Sequence, residues 1–293
     1  MNITRIRTSL AESAVEAPAA GFDALAAFFD RHQRVAVVTG AGCSTASGIP
    51  AYRDGVGQWQ QRQPIFHQEF IASPVVQRRY WARSFYGWPR VGQARPNAAH
   101  TALMELEGAG ALNGLVTQNV DGLHQQAGSR QVVELHGGLA RVLCLDCQQL
   151  STRTELQQRL ADLNPDWHPE VLGFRADGDA ELDEQAYPGF RIADCLACGG
   201  VLKPDVVFFG GRVPAEQVDQ ARDIVLSADA LLVVGSSLAV WSSLRLVREA
   251  ASQGLPVAAI NDGRTRADEL LDFKIPGRCA THLSKLAKRS LAG

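Results

Sequence analysis

Neither sign of charge dominates this chain: 29 lysines and arginines stand against 31 aspartates and glutamates, a formal net charge of -2 over 293 residues. A basic excess is the electrostatic footprint of a nucleic-acid binder, so its absence argues against nucleic acid as a partner. No apolar run reaches the ~20 residues that a membrane-spanning helix needs, which argues against a membrane protein. The first twenty residues carry Arg5 and Arg7 but also Glu12 and Glu16, without a continuous apolar core. They read as a flexible leader, 1–20, rather than a signal peptide. Internal repeats and low-complexity tracts are also missing. Cysteine is scarce: of six residues, four form two C-x-x-C pairs, and Cys43 and Cys279 stand alone. That usage suits thiolates on a metal in a reducing compartment better than a disulfide framework, and a cytoplasmic location is expected. Apolar material is ample at 46%, enough for one large domain or a large one with a small one.

Short Val-rich runs alternate with amphipathic stretches, the pattern of a parallel sheet with helices on both faces. The fold class expected is α/β: a Rossmann-like, doubly wound parallel sheet with a smaller inserted zinc-binding module. Strands are predicted at Val35–Val38, Leu115–Thr117, Val132–Leu135, Val206–Phe209, Ala230–Val234 and Val257–Ile260. Helices are predicted at Phe22–Asp30, Pro74–Tyr86, Asn97–Leu106, Pro214–Ser227, Trp241–Gln253 and His282–Leu291. Between Gly138 and Pro204 the pattern breaks into cysteine pairs, polar helix and a stretch bearing Gly, Asp and Pro, so 138–204 reads as an insertion. The large domain is then 21–137 with 205–293. A second interruption, 51–96, is rich in Gln, Arg and aromatics and carries helical material expected to join the small module.

Cys144-x-x-Cys147 and Cys195-x-x-Cys198-Gly199-Gly200 offer four thiolates in two tight turns, the ligand set of a closed structural zinc site. The alternative, a pair of redox dithiols, lacks a thioredoxin-like context. Gly40-Ala41-Gly42-Cys43-Ser44 directly follows the first strand, where a sharp turn beside a helix N-terminus exposes backbone amides suited to pyrophosphate. Gly48 comes five residues after the G-x-G rather than two, and no second strand ending in an acid follows at the usual distance, so a hydride-transferring Rossmann enzyme fits poorly. Ile49-Pro50-Ala51-Tyr52-Arg53 instead supplies a ring and a guanidinium, both useful against a dinucleotide. Thr117-Gln118-Asn119-Val120-Asp121, Gly235-Ser236-Ser237 and Asn261-Asp262-Gly263 put amides, hydroxyls and carboxylates at strand ends, where open α/β sheets bind ligands. Each alone is also a helix cap or a turn; together they favour a dinucleotide site. His136 follows the strand beside Gln118, and an imidazole with a pKa near ~6.5 suits a general base.

This combination resembles the sirtuins, NAD-dependent protein-lysine deacylases, from about Val35 to Cys279. The matching blocks are Gly40 to Pro50, Thr117 to Asp121, Leu135-His136-Gly137, both cysteine pairs, Lys203 to Gly210, Gly235 to Ser237 and Ile260-Asn261. Tyr80-Trp81-Ala82-Arg83, Gly87-Trp88-Pro89 and the insert through Asn164 to Leu182 look most like the class II branch. The resemblance implies NAD as cofactor, one structural zinc, and acyl-lysine proteins or peptides as substrates. It implies that Gly40, Ala41, Gly42, Ser44, Ile49, Pro50, Tyr52 and Arg53 wrap the pyrophosphate and nicotinamide ribose, and that Gln118, Asn119, Val120 and Asp121 hold the ribose and the carboxamide. Gly235, Ser236, Ser237, Asn261, Asp262, Gly263 and the Cys279 backbone would hold the adenosine half. The catalytic set would be His136 as base with Asn119 and Asp121, passing the acyl group to ADP-ribose as nicotinamide leaves.

Val206, Val207, Phe208 and Phe209 would pair with the substrate as an added strand. Tyr80 and Arg83 are spaced to share a helix face and are similar to the Tyr-x-x-Arg by which desuccinylating sirtuins bind acidic acyl groups; a solvated helix face is the alternative. Cys43 stands where the family commonly has Ile, as an inert buried thiol or an oxidation-sensitive one. Two other functions stay open: mono-ADP-ribosyl transfer to protein, and a non-catalytic NAD or ADP-ribose sensor, against which His136 and Asp121 argue.

Overall fold

The computed structural model describes residues 15–50, 65–174 and 178–292. The chain runs α1 (Phe22–Arg31), β1 (Val35–Thr39), two 3-10 turns (Ala41–Cys43 and Thr45–Ser47), α2 (His67–Ala72), α3 (Pro74–Gln93), α4 (Ala98–Gly108), β2 (Leu112–Thr117), α5 (Leu123–Ala127) and β3 (Val132–Glu134). It continues through β4 (Gly137–Cys144), β5 (Leu150–Thr152), α6 (Arg153–Leu163), β6 (Val171–Phe174), β7 (Ala180–Leu182) and β8 (Leu202–Val206). It closes with α7 (Ala215–Leu226), β9 (Ala230–Val234), α8 (Trp241–Ser252), β10 (Val257–Ile260), β11 (Phe273–Ile275) and α9 (Cys279–Ala292).

Six of these strands form one sheet in the order β11-β10-β9-β1-β2-β3, every pair parallel. Strands β1, β9 and β10 are buried along their whole length, which is why they read as unbroken apolar runs: a parallel sheet is covered on both faces. Side chains alternate between the two covers. Val35 and Val37 pack with Leu25 and Phe28 of α1, Leu103 and Leu106 of α4 and Leu283 of α9. Ala36 and Val38 pack with Val225 of α7 and Leu244 and Val247 of α8.

A separate core lies under the inserted segments. Phe70 of α2 and Tyr80 and Trp81 of α3 pack with Val142 and Cys144 of β4, Leu156 and Leu160 of α6, Leu182 of β7 and Cys195. The helices within 51–96 and the cysteine-bearing segment therefore bury one common set of apolar side chains.

Three expectations change. Val206–Phe209 is not a strand of the large sheet: β8 ends at Val206 and pairs antiparallel with β4 in a three-stranded sheet, β5-β4-β8. The apolar run Val207–Phe209 is only half-buried, because it borders a cleft rather than a core. The helix starting at Pro74 extends to Gln93, beyond Tyr86. Of the expected leader, residues 1–14 lie outside the described residues, while Ala20 N donates to Lys274 O at 2.9 Å and Lys274 N to Pro18 O at 2.8 Å. Backbone hydrogen bonds to β11 thus hold the end of that leader against the sheet edge.

Candidate active site

From β1 the chain goes on to β2 and β3 on one side of the sheet, and from β9 to β10 and β11 on the other. This reversal is a topological switch point, beyond whose strand ends a crevice opens. The cleft there measures about 1670 Å³. Most small-molecule sites have roughly 300–1,000 Å³, so there is room for a dinucleotide beside a second, extended chain.

Two loops make its floor. Gly40 N donates to Val234 O at 3.0 Å and Gly42 N to Gly235 O at 2.9 Å, tying the loop after β1 to the loop after β9. Gly235 has φ 59°, and a Cβ on it would lie 2.5 Å from Cys43 N, so only glycine allows the loops to touch. Asn97, the N-cap of α4, adds Nδ2 bonds to Cys43 O (2.8 Å) and Ser47 Oγ (2.9 Å).

The end of β2 crosses this floor. Gln118 Nε2 donates to Ser236 Oγ (2.7 Å), and its Oε1 accepts from Ser243 Oγ (2.8 Å). Asn119 Nδ2 donates to Gly40 O (3.1 Å) and Ser44 Oγ (3.0 Å), while Ser44 Oγ donates to Asp121 Oδ2 (2.7 Å). The amide and carboxylate side chains thus brace the glycine loop and face the cleft at once.

His136 stands at the turn from β3 into β4. Gly137 after it has φ 78°, and a Cβ there would overlap the Asp205 carbonyl. The ring's Nδ1 lies 3.0 Å from Gln118 O and its Nε2 2.8 Å from Ser242 Oγ. A carbonyl only accepts, so Nδ1 carries the proton and Nε2 is a lone pair. Burial holds the ring below the ordinary histidine pKa, partly offset by the Gln118 carbonyl. At neutral pH the imidazole is uncharged, with one basic nitrogen.

Under the floor, Cys43, His100 and His124 bring three buried donor atoms within 4.8 Å of one another. They do not suit a metal, because Asn97 N–H donates to His100 Nδ1 (3.2 Å); the neutral ring then carries its proton on Nε2 and offers no free lone pair. Burial lowers both histidines, His124 to about 3, and lifts the Cys43 thiol well above its ordinary value. Burial thus holds both histidines toward their neutral forms under the floor and the Cys43 thiol toward its protonated form. Cys279 is likewise pushed up to about 12 by burial.

The cleft brings together every expected site residue that lies among the described residues, apart from Arg83 and the four paired cysteines: Gly40 to Ser44, Ile49, Pro50, Tyr80, Gln118 to Asp121, His136, Val206 to Phe209, Gly235 to Ser237, Asn261 to Gly263 and Cys279. Tyr52 and Arg53 lie outside the described residues. Arg83 is buried behind Tyr80, paired to Asp179. Asn97, Ser242 and Ser243 were not anticipated. Asn97 shows in the sequence only as the start of a helix, and the two serines at the start of α8 carry no local signal of the site.

A model described as the Sir2 family matches residues 40–242. The chain belongs to the Sir2 family. It is 54% identical over 263 residues to the NAD-dependent protein deacetylase of Xanthomonas campestris pv. campestris (strain 8004), covering 90% of each chain. It is 51% identical over 259 residues to NAD-dependent protein deacetylase 2 of Bradyrhizobium diazoefficiens, covering 88% of this chain and 95% of that one. A solved Sir2–p53 peptide–NAD+ complex superposes with a TM-score of 0.76 at 25% identity, covering 94% of this chain and 100% of that chain. A Sir2 enzyme solved for its mechanism and regulation gives 0.73 at 31% identity, covering 92% and 98%.

Cys144, Cys147, Cys195 and Cys198 of this Sir2 chain form a cluster that could hold a metal ion, their sulfurs all within 4.8 Å of one another. Sγ to Sγ distances are 3.5 Å for Cys144–Cys198 and 3.7 Å for Cys147–Cys195. Zinc–sulfur bonds of ~2.3 Å in a tetrahedron place sulfurs about 3.8 Å apart, so the four thiolates fit that ion. Both turns close in the same way, with Gln148 (φ 61°) and Gly199 (φ 73°) in the left-handed region after the second cysteine. No helix among the described residues is long and apolar enough to cross a membrane.

Proposed function

We infer that this Sir2 chain is an NAD-dependent protein-lysine deacylase, with acyl-lysine proteins or peptides as substrates. The observation that carries this reading is His136: a neutral ring in one tautomer, its basic Nε2 directed to Ser242 on the wall of the cleft where Gln118, Asn119 and Asp121 converge. Relatives at 54% and 51% identity are named NAD-dependent protein deacetylases, and a structural neighbour holds a p53 peptide and NAD+.

NAD supplies the ribose, whose bond to nicotinamide breaks and whose hydroxyls accept the acyl group. His136 takes a hydroxyl proton at Nε2, and the Gln118 carbonyl steadies the imidazolium through Nδ1–H. Gln118, Asn119 and Asp121 hold the nicotinamide ribose and carboxamide, the Gly40–Ser44 loop with Ile49 and Pro50 wraps the pyrophosphate side, and Ser236, Ser237, Asn261, Asp262, Gly263 and Cys279 hold the adenosine half. Val206–Phe209, anchored by Val207 N on His136 O (2.9 Å) and by His67 N on Phe209 O (2.8 Å), receives the substrate backbone as an added strand. Cys144, Cys147, Cys195 and Cys198 hold zinc as a staple; with four sulfur ligands it keeps no open position for chemistry. Four of six cysteines in two C-x-x-C pairs suit thiolates on a metal in a reducing compartment, and on that composition we place the protein in the cytoplasm.

Purified protein given NAD and an acetyl-lysine peptide should release nicotinamide and free lysine with O-acetyl-ADP-ribose, read by mass spectrometry. ADP-ribose attached to protein instead would turn the reading to a transferase, and NAD left unconsumed would turn it to a sensor.

A further inference from the structure

Ser242 is the second residue of α8, where a serine reads as a helix-start residue. Yet α8 has Val240 as its N-cap and no side-chain cap. The Ser242 hydroxyl goes instead to His136 Nε2 at 2.8 Å. Since Nε2 is the lone-pair nitrogen, Ser242 Oγ–H is the donor. The lone pair that acts as base is therefore already engaged by a hydroxyl that, like the ring, lines the cleft, so a hydroxyl arriving from the cleft can reach that lone pair through Ser242. The next residue, Ser243, fixes the Gln118 side chain (2.8 Å), while the Gln118 carbonyl fixes the other end of the His136 ring. Serine, imidazole and carbonyl stand in line.

We propose that Ser242 is a catalytic proton relay: an incoming hydroxyl gives its proton to Ser242 Oγ while the Oγ–H proton passes to His136 Nε2. The incoming oxygen then bonds to the acyl carbon as an electron pair of that carbon's bond to the lysine nitrogen moves onto the nitrogen, Ser242 ends as it began, and His136 becomes the imidazolium, whose proton is available to the departing lysine amine. The proposal rests on the reading of His136 as base. The donated hydrogen bond also favours the neutral ring, so Ser242 lowers the pH at which His136 gains a proton. Charged groups on the surrounding elements are Asp121 after β2, Glu134 of β3 and Asp205 of β8, both paired to Arg141 of β4 at 2.7 Å, and Arg245 of α8, paired to Glu249 at 3.5 Å. Burial and the Gln118 carbonyl set the direction of the His136 shift, so the Ser242 share is read as the change that its substitution makes.

The test compares Ser242→Ala and Ser242→Thr with wild type. In the protein alone, NMR titration of the His136 ring should move up by about half to one pH unit in Ser242→Ala and return in Ser242→Thr. With NAD and an acetyl-lysine peptide, kcat of Ser242→Ala should fall roughly ten- to a hundredfold, its acid limb should move to higher pH, and Thr should recover most of both. An unmoved His136 titration would overturn the hydrogen bond, and a kcat within twofold of wild type would overturn the relay. Unchanged turnover in His136→Ala would remove the base reading itself, while the titration of the free protein still decides the Ser242 contact.

Discussion

Arg83 Nη2 lies 3.4 Å from Asp179 Oδ2, with the side chains 4% and 12% exposed, and Arg83 Nε donates to Ala180 O at 3.2 Å. Asp179 and Tyr80 line the cleft and the Arg83 guanidinium does not, so we expect an acyl chain bound against this wall to face a carboxylate rather than a free guanidinium. An acetyl-lysine peptide should therefore be turned over at least tenfold faster than its succinyl counterpart. Asp179→Asn should raise the succinyl-to-acetyl ratio and cost about 3–5 kcal/mol of stability, as removing one partner of a buried pair does. Peptide turnover by mass spectrometry and urea melts check the two halves; a wild type that prefers succinyl would contradict the first.

Zinc should hold the small core together without touching the reaction. The cysteine pairs bracket β5 to β7, and Trp81 Nε1 donates to Leu202 O (3.1 Å) in the core beneath them. Structural zinc in small peptides contributes roughly 10–16 kcal/mol, comparable to the ~5–15 kcal/mol that holds a whole domain. Elemental analysis should find about one zinc per chain, and chelation or Cys198→Ser should lower the melting temperature and change tryptophan fluorescence. A metal-free protein with an unaltered melt would exclude the staple.

The contact between the glycine loops gives a sharper substitution. In Gly235→Ala the new Cβ meets Cys43 N at 2.5 Å and Gly42 C at 2.7 Å, backbone on both sides, so the floor of the cleft must open. NAD affinity by calorimetry should fall at least tenfold, with a stability loss of at least ~2 kcal/mol. Gly254→Ala is the control: it has φ 76° with nothing within 4 Å, so it should cost only the ~1–2 kcal/mol of left-handed backbone and leave NAD affinity alone.

What could be read in the sequence follows from burial. Val35–Val38, Ala230–Val234 and Val257–Ile260 are plain apolar runs because both sheet faces are covered, so a strand was their natural reading. Phe273–Ile275 escaped notice because the edge strand is three residues long with Lys274 at its centre. Val206–Phe209 carries the same signature as a core strand, but the apolar side chains of its last three residues border a cleft, and periodicity does not distinguish a groove wall from a core. Site residues were legible where several polar groups share a strand end, as from Gln118 to Asp121. Ser242 was not, since its partner is 106 positions away and only the packing of α8 against the β3–β4 turn brings the two together.

Acid should weaken the fold through the buried histidines under the floor. His124 is 1% exposed, bonded at 3.0 Å to Thr39 Oγ1, and burial lowers its pKa to about 3, with His100 adding a smaller repulsion. The unfolded chain binds this proton near pH ~6.5. Between pH 6.5 and 3 the unfolded state therefore holds one more proton than the folded state, so the stability present above 6.5 drains away as the pH falls. For His124 alone the loss is about 2 kcal/mol by pH 5 and about 5 kcal/mol by pH 3, and His100, lowered in the same direction, adds to it. Urea melts at pH 7.5, 6 and 5 should show this slope in wild type. His124→Gln, which keeps an amide toward Thr39 but does not titrate, should flatten it by the His124 share. Equal slopes in the two proteins would mean that His124 accepts its proton in the folded state near its ordinary pKa, and that burial does not hold it neutral.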